Sequence, residues 1–181
     1  MKEEAEREGI SANALVNKIL KDYAQVYRFS KRFGIVYLSY PTLSAFVNCC
    51  PKDRVIEIAE FSASTLVKDG MRTMGLSMNY DSVAYFIKNI FGGLAGWFSC
   101  DHHIMGNKEV FHLRHGLGNK WSIFIAEVTS TMFKYLLNKK VETEILESSV
   151  TITIERKRRP FQPSPILIKR MYDKVKLKTL S

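Results

Sequence analysis

Apolar residues recur every three to four positions in several stretches, the spacing that places them on one face of an α-helix. Residues 2–8 are predicted to end a first helix. Gly9 is expected to close it in the left-handed conformation, and Ser11 to cap a second helix that ends near Val26. Four further helices are predicted: Pro41–Val47, one from Pro51 at its first position to Lys68 or beyond, one from a cap at Asp81 to Gly92-Gly93, and one from near Gly118 to Asn138.

Strands are predicted where apolar and polar residues alternate or β-formers cluster. Gly34–Ser39 is a short β-rich run. Two hairpins are expected, Ala95–His103 with Lys108–His115, and Val141–Leu146 with Ser149–Ile154. Together the elements predict an α+β protein, in which a helix-turn-helix pair precedes antiparallel hairpins packed on helices.

The same pattern divides the chain into three parts. We expect a helical pair over residues 1–27, an α+β domain over 28–156 and a basic tail over 157–181. The most apolar run, Phe86–Phe98, is interrupted by Lys88 and three glycines and is too short to span a bilayer. No membrane span is therefore expected.

The net positive charge is concentrated at the C-terminus. Of the net +9, residues 155–181 carry +7 and residues 1–154 carry +2. Such a tail suits polyanions, either nucleic acid or an anionic lipid surface against which Ile166–Leu180 would form a basic amphipathic helix. A solvated extension is the alternative. The basic residues assigned to the tail site are Arg156, Lys157, Arg158, Arg159, Lys169 and Arg170.

The cysteines indicate a reducing compartment. Cys49, Cys50 and Cys100 are odd in number and lack the spacing of a disulfide framework. The charged residues 2–8 do not form a signal peptide, so we expect a cytoplasmic protein. Cys49 and Cys50 precede a predicted helix N-terminus, which can lower a thiol pKa, but buried structural thiols are the favoured interpretation.

The first 25 residues resemble part of a known DNA-binding unit. Their order is Ala5, charged residues, Gly9-Ile10-Ser11, Asn13 and then an apolar helix carrying Leu15, Val16, Ile19, Leu20 and Tyr23. This order is similar to the helix-turn-helix portion of ribbon-helix-helix (CopG/Arc-like) transcription factors. The resemblance implies a dimer with interlocked helices, since so small a unit cannot fold alone.

The resemblance also implies a phosphate clamp at the start of the second helix, where free amides and the helix dipole favour anions. Its predicted phosphate contacts are Lys2, Arg7, Ser11, Ala12, Asn13 and Lys18. The sequence has no counterpart of the family's base-reading strand, because Met1 already falls within the predicted first helix. Either the true start lies further upstream or this copy has lost base readout. Selective DNA binding is therefore in doubt from the sequence, and a plain helical hairpin is the alternative.

A second, weaker resemblance covers about forty residues from Phe111. His115, a glycine turn, an amphipathic helix and a final hairpin are similar to haem-nitric-oxide-binding and 4-vinyl-reductase-like sensor domains. No haem-ligating motif transfers, so no cofactor is assigned. The turn at Gly116 and Gly118 lacks P-loop spacing, and a phosphate site there is the minor interpretation. Trp97, Phe98, Trp121 and Phe124 are expected in the core, where a cavity among them would take a small apolar ligand.

Histidines and a cysteine form the one metal-like group in the sequence. Its candidates are Cys100, His102, His112 and His115, with Asp101 and His103 between them. A metal needs three or four convergent ligands, and neighbouring strand residues such as His102 and His103 point to opposite faces. Solvated or core-edge histidines are therefore favoured, and no metal is assigned.

These features favour a dimeric DNA-binding regulator with a ligand-sensing or dimerisation domain. The alternative is a small-ligand-binding or interaction protein that keeps the helical pair only for dimerisation. The sequence shows no nucleophile close to a suitable base and no pair of carboxylates in a recognisable catalytic arrangement. An enzyme is therefore not expected.

Overall fold

Two short helices begin the chain and a glycine turn joins them. The computed structural model describes residues 1–28, 36 and 38–155. Helix α1 (Lys2–Arg7) is followed by Gly9 at φ 67°, in the left-handed region that glycine favours. Ser11 caps α2 (Ala12–Asp22), its Oγ accepting a hydrogen bond from the Ala14 amide at 3.1 Å. The predicted closing glycine and capping serine are both confirmed, and α2 continues as a π-helical stretch, Tyr23–Tyr27.

Three longer helical elements follow. Helix α3 is Tyr40–Cys49, and α4 runs as Lys52–Phe61, a π-helical Ser62–Val67 and Lys68–Thr73. Helix α5 is Tyr80–Tyr85 with a π-helical continuation, Phe86–Leu94. The predicted extension of α4 beyond Lys68 is confirmed, whereas Pro51 is the N-cap of α4 rather than its first residue.

Both predicted hairpins are present, and together they form one antiparallel sheet. Its strands are β1 (Ser99–Met105), β2 (Lys108–Arg114), β3 (Glu142–Ile145) and β4 (Ser149–Glu155), in the order β1-β2-β4-β3. Helix α6 (Asn119–Leu137) connects the hairpins and ends at Asn138, whose φ of 51° is the left-handed end expected there. The α+β class is therefore confirmed.

The core lies on one face of this sheet. Phe111 and Leu113 of β2 and Ile152 of β4 are fully buried against the helices, and α6 contacts both α4 and strands β3 and β4. Alternate residues of each strand point away from the core, and on β2 and β4 these residues are half-buried or exposed. No side chain of residues 1–28 belongs to this core.

Several predicted boundaries are wrong, each for a local reason. Asn79, not Asp81, caps α5, because its Oδ1 accepts from the Ser82 amide at 2.9 Å. Gly92-Gly93 does not end that helix, since a π-helical turn carries the chain to Leu94 and the bend falls at Gly96. The first hairpin strand begins at Ser99, because residues 95–98 form the turn that follows α5.

The strand predicted over Gly34–Ser39 is also wrong for the residues that can be placed. Val36, Leu38 and Ser39 belong to no strand, and the rest of that run lies outside the described residues. Val36 and Leu38 instead line an apolar pocket. Their β-forming character reflects apolar contact rather than backbone pairing.

Candidate functional site

An apolar pocket lies among α3, α4, α5 and the start of α6. Its volume is about 410 Å³, and sites for small molecules commonly occupy roughly 300–1,000 Å³. Aliphatic side chains, including Leu38, Leu43 and Leu66, form one part of the wall. Aromatic rings form the other, and none of the described side chains that line it is charged.

The aromatic wall is a packed cluster centred on Trp97. Its ring stacks on Phe91 at a centroid distance of 4.2 Å and an interplanar angle of 13°. It meets Trp121 and Phe124 edge-on, each at 5.5 Å, and those two rings stack on each other at 4.8 Å. Offset-stacked and edge-to-face pairs stabilise each other beyond simple burial. The rings therefore form a rigid surface for a ligand.

Two glycines set the position of Trp97. Gly96 turns the chain at φ 63°, and the Trp97 amide donates to the Phe91 carbonyl at 2.9 Å. At Gly92 an added Cβ would lie 3.3 Å from the carbonyl oxygen of Phe98 and 3.5 Å from its ring. A side chain at this position would require the Phe98 carbonyl to shift by a few tenths of an ångström. The glycine-rich end of α5 thus shapes the pocket.

Both ends of α3 are tied to the rest of the fold. At its start, the Tyr40 hydroxyl donates to the Gly96 carbonyl. Just past its end, the Lys120 ammonium donates to the carbonyls of Asn48 and Cys50, each at 2.7 Å. Charge-assisted bonds of this kind suit a helix C-terminus, where unpaired carbonyls concentrate negative charge. Helix α3 is therefore held as a fixed wall.

Three polar side chains at the pocket are already engaged within the protein. Tyr40 donates to Gly96, and the Ser62 hydroxyl donates to the Ile58 carbonyl at 2.7 Å. The Trp121 indole donates to the Trp97 carbonyl at 3.2 Å. A charged ligand group would lose its hydration here without gaining a partner from these atoms. The pocket therefore favours a neutral, apolar molecule.

The pocket does not fit a haem, the group bound by some of the sensor domains that the weaker resemblance concerns. Its described lining contains no histidine, cysteine or methionine, the usual axial ligands. Its one phenol, Tyr40, is bonded to Gly96. The cofactor, left open from the sequence, is therefore not haem at this site.

The metal candidates are not brought together. His102 lies on the core face, stacked on Phe111 at 4.2 Å and bonded to buried Glu109 at 3.0 Å. His112 lies on the opposite face, within 3.1 Å of the Thr151 hydroxyl. The described part of the chain contains no group of three metal-ligating side chains. The expectation that His102 and His103 face opposite sides is confirmed by their partners, Phe111 and Val110.

His115 forms two hydrogen bonds that stabilise the turn into α6. Its Nδ1 accepts from the Leu117 amide at 3.2 Å, so its Nε2 carries the proton and donates to the buried Ser122 hydroxyl at 2.9 Å. Ser122 in turn donates to the Glu147 carbonyl. Burial lowers the pKa of His115, and the nearby Glu147 carboxylate opposes that shift only in part. The neutral imidazole locks the turn.

The same turn has no open phosphate site. The Glu147 carboxylate accepts from the Asn119 amide at 3.3 Å and lies 3.6 Å from the Cβ position of Gly118. A carboxylate thus occupies the helix N-terminus where a phosphate would bind. The minor phosphate interpretation of Gly116 and Gly118 is therefore not supported by the geometry.

The thiols differ in environment. Burial raises the pKa of Cys100 to about 11, so this thiol is protonated at neutral pH and a poor nucleophile. Cys49 is exposed, and the half-buried Cys50 donates to the Phe46 carbonyl at 3.5 Å. None of the three lines the pocket.

The predicted DNA contacts have competing partners. Residues 1–28 carry five basic and five acidic side chains. Lys18 is paired with Glu8 at 2.6 Å, and Arg7 with Glu4 at 3.3 Å. The hydrogen bond and charge of Glu8 raise the pKa of Lys18. Of the predicted set, Lys2 is exposed, and Ser11, Ala12 and Asn13 stand at the start of α2.

The basic tail falls beyond the part of the chain that the structure describes. Its predicted site residues Arg156, Lys157, Arg158, Arg159, Lys169 and Arg170 all lie outside the described residues. Across the described part, no helix combines the length and apolarity needed to cross a bilayer.

Comparison with known proteins adds no assignment. The chain matches no known protein family, and no curated protein or solved structure was found to match it. Its function is therefore argued from its own residues.

The sequence predicted part of the aromatic wall. Of the four aromatic residues expected around a cavity, Trp97, Trp121 and Phe124 line the pocket and Phe98 does not. Tyr40 and Leu66 were missed, because each lies on a helix whose exposed face looks like ordinary surface in the sequence. The sequence did contain one indication of the aliphatic wall, which was the apolar Leu66 on the exposed face of α4.

Proposed function

We propose that this protein binds a neutral, apolar small molecule in the aromatic pocket and uses its N-terminal helical pair to dimerise. The observation that carries the proposal is a concave site of about 410 Å³ whose described lining is mostly apolar and carries no charged side chain. A large, well-formed apolar pocket is the default ligand site of a protein.

The rings define the kind of molecule. Trp97 and Phe124 present faces and edges to the cavity from a rigid cluster. Flat or branched hydrocarbon groups gain most from such a surface, since the rings lose little conformational entropy on binding. The ligand class is therefore a neutral aromatic or terpenoid-like molecule rather than a nucleotide or an organic acid.

Exposed apolar residues support self-association by the helical pair. Ile19, Leu20 and Tyr23 of this segment are largely exposed, and residues 1–28 add nothing to the core of the body. A second copy would cover this face, as in the family that the segment resembles. Substituting Ile19→Glu is expected to weaken the dimer, and Lys21→Glu on the same helix is the matched control. Association states that are equal in both variants, whatever their size, would contradict this role.

Binding of paired fluorescent probes tests the pocket. N-phenyl-1-naphthylamine is neutral, and 1-anilinonaphthalene-8-sulfonate carries similar rings with a negative charge. We expect saturable binding of the neutral probe at one per chain, with energy transfer from tryptophan, and much weaker binding of the anion. Equal affinity for both probes would contradict an uncharged site.

A matched pair of substitutions locates the binding. Leu66 lines the pocket and is 56% exposed, whereas Ile58 on the same helix is 49% exposed and outside the lining. Both changes to Glu start from exposed positions, so both should leave folding nearly intact. Leu66→Glu is expected to lower the affinity for the neutral probe more than tenfold, and Ile58→Glu is expected to change that affinity little. Loss in both variants, or in neither, would place the probe elsewhere.

A DNA-binding regulator is the second candidate. It is favoured by the turn geometry of Gly9 and the Ser11 cap at the start of α2. In that case Lys2, Ala12 and Asn13 would contact phosphates, and the basic tail would add salt-dependent affinity. The ion pairs of Arg7 and Lys18 reduce the charge that this surface offers, which is why we rank it second.

Fluorescence anisotropy decides this second candidate. The protein is titrated with the duplex upstream of its own coding sequence and with a scrambled duplex, over a salt series, with and without residues 156–181. Selective binding that survives tail removal supports a regulator. Unselective binding that disappears with the tail contradicts it.

A further inference from the structure

Among the described residues, strand β1 forms an edge of the sheet that no other strand covers. It pairs with β2 on one side, and no described strand lies on its other side. An edge strand presents a row of N–H and C=O groups that can pair with another chain. Proteins usually protect such edges with Lys, Pro or a bulge. Ser99–Met105 contains neither residue, and its seven pairs with β2 run without a bulge.

The opposite edge is protected. Strand β3 has only four residues, and Glu142 and Glu144 are both exposed on it. A short, acidic strand discourages pairing. At β1, by contrast, the apolar side chains of Ile104 and Met105 are 56% and 67% exposed. The two edges of one sheet therefore differ in the way expected if only β1 has a partner.

We infer that β1 pairs antiparallel with β1 of a second copy about a two-fold axis. The axis runs perpendicular to the sheet, so that the helical layers of both copies lie on the same side. A register centred on His102 pairs all seven residues, which no other symmetric register does. The result is a continuous eight-stranded sheet.

This register is complementary in hydrogen bonding and in apolar contact. Asp101 of each copy lies opposite His103 of the other, on the face away from the core, where an imidazole N–H can donate to the carboxylate. Cys100 lies opposite Ile104, on the core face. The faces follow from the pairing with β2, where Asp101 stands opposite His112 and Cys100 opposite buried Leu113. Hydrogen-bonded and apolar cross-strand pairs stabilise antiparallel strands.

The occupant is a second copy rather than a foreign peptide because β1 complements itself. Each symmetric dimer contains the Asp101–His103 pair twice. Arg114 contacts Asp101 at 2.8 Å, so the carboxylate is held on the face where the second copy's His103 would lie. This interface is separate from the helical pair and from the pocket, and it does not depend on the proposed ligand.

Disulfide crosslinking tests the register directly. The experiment uses the full chain with Cys49→Ser and Cys50→Ser, and with Ile19→Glu to remove the helical-pair contact. Added Ile104→Cys places a thiol opposite the native Cys100 of the second copy, at a Cα separation of about 4.5–5.5 Å, within disulfide reach. Within one chain the two positions are about 13 Å apart along the strand and cannot be joined.

The matched control is Met105→Cys in the same background. Its side chain is also exposed, but it lies opposite Ser99 and points to the other face from Cys100. We expect mild oxidation of the Ile104→Cys variant to give a dimer in which Cys100 of one copy is joined to the introduced thiol of the other. Peptide mass spectrometry identifies that bond, which should form at least tenfold faster than any dimer of the control. Equal rates in folded variants, or no dimer, would overturn the inference. The absence of a crosslinked dimer is also the result expected if β1 pairs with a foreign peptide instead.

Exchanging the two residues provides the independent arm. In the Ile19→Glu background, His103→Asp would place two aspartates opposite each other twice in the dimer, and should weaken dimerisation about tenfold by sedimentation equilibrium. The double variant Asp101→His/His103→Asp restores an Asp–His pair and should recover most of that loss. A double variant as weak as the single one would overturn the pairing.

Discussion

Replacing Lys120 with Met removes the tie at the end of α3 and keeps a side chain of similar length. The ammonium donates two bonds at 2.7 Å to the carbonyls of Asn48 and Cys50. A hydrogen bond to a charged group contributes roughly 1.5–3 kcal/mol. One of these bonds is exposed and the other only partly buried, so water replaces much of the loss. We expect the free energy of unfolding to fall by about 2 kcal/mol.

For a chain of this size, about 2 kcal/mol corresponds to a decrease in Tm of roughly 4–8 °C. Since Leu43 and Tyr40 of α3 line the pocket, the affinity for the neutral probe should also fall several-fold. Scanning calorimetry and the probe titration measure the two effects. Lys134→Met, at an exposed position of the same helix, is the control. A Tm and a probe affinity equal to those of the control would refute the reasoning.

Three further predictions follow from single residues. Burial lowers the pKa of His115 below 6.5. Its neutral form therefore stabilises the fold above that pH, and this stabilisation is lost as the pH falls from 6.5 toward the pKa of the folded state. The difference in the free energy of unfolding between pH 8 and pH 5, measured with urea, should be smaller in His115→Gln than in the wild type. The Cys100 thiol, with a pKa of about 11, should react with iodoacetamide at pH 8 at least tenfold more slowly than exposed Cys49, and equal rates in peptide mass spectrometry would contradict its burial. Ser11→Ala should destabilise α2 by about 1 kcal/mol, seen as faster amide exchange at Ala14 whose bond to the cap is lost, and unchanged exchange would contradict the cap.

Local features of the fold were predictable because their causes lie within a few residues. The Ser11 cap, the Gly9 turn and the Asn138 helix end each depend on one side chain and the next turn of backbone. The exception is the start of α5. Asn79 and Asp81 are both good caps two residues apart, and the pattern cannot choose between them.

Non-local features were only partly predictable. Alternation along β1 correctly separated His102 from His103, but the pairing register, which no local pattern fixes, placed His112 opposite Asp101. The pocket joins Leu38 to Phe124 across nearly half of the chain. The sequence identified its aromatic wall through the apolar stripe of α6, whereas the wall from α3 and α4 depends on how the helices pack.

The central claim is that the aromatic pocket binds a neutral apolar molecule. The protein has two tryptophans, Trp97 and Trp121, and both line that pocket. Titration of the ¹⁵N-labelled protein with N-phenyl-1-naphthylamine, followed through the two indole N–H signals, is the most direct measurement. We predict that both signals shift and saturate with a single Kd, and that neither does so in Leu66→Glu. Indole signals that stay in place while the probe binds would contradict it.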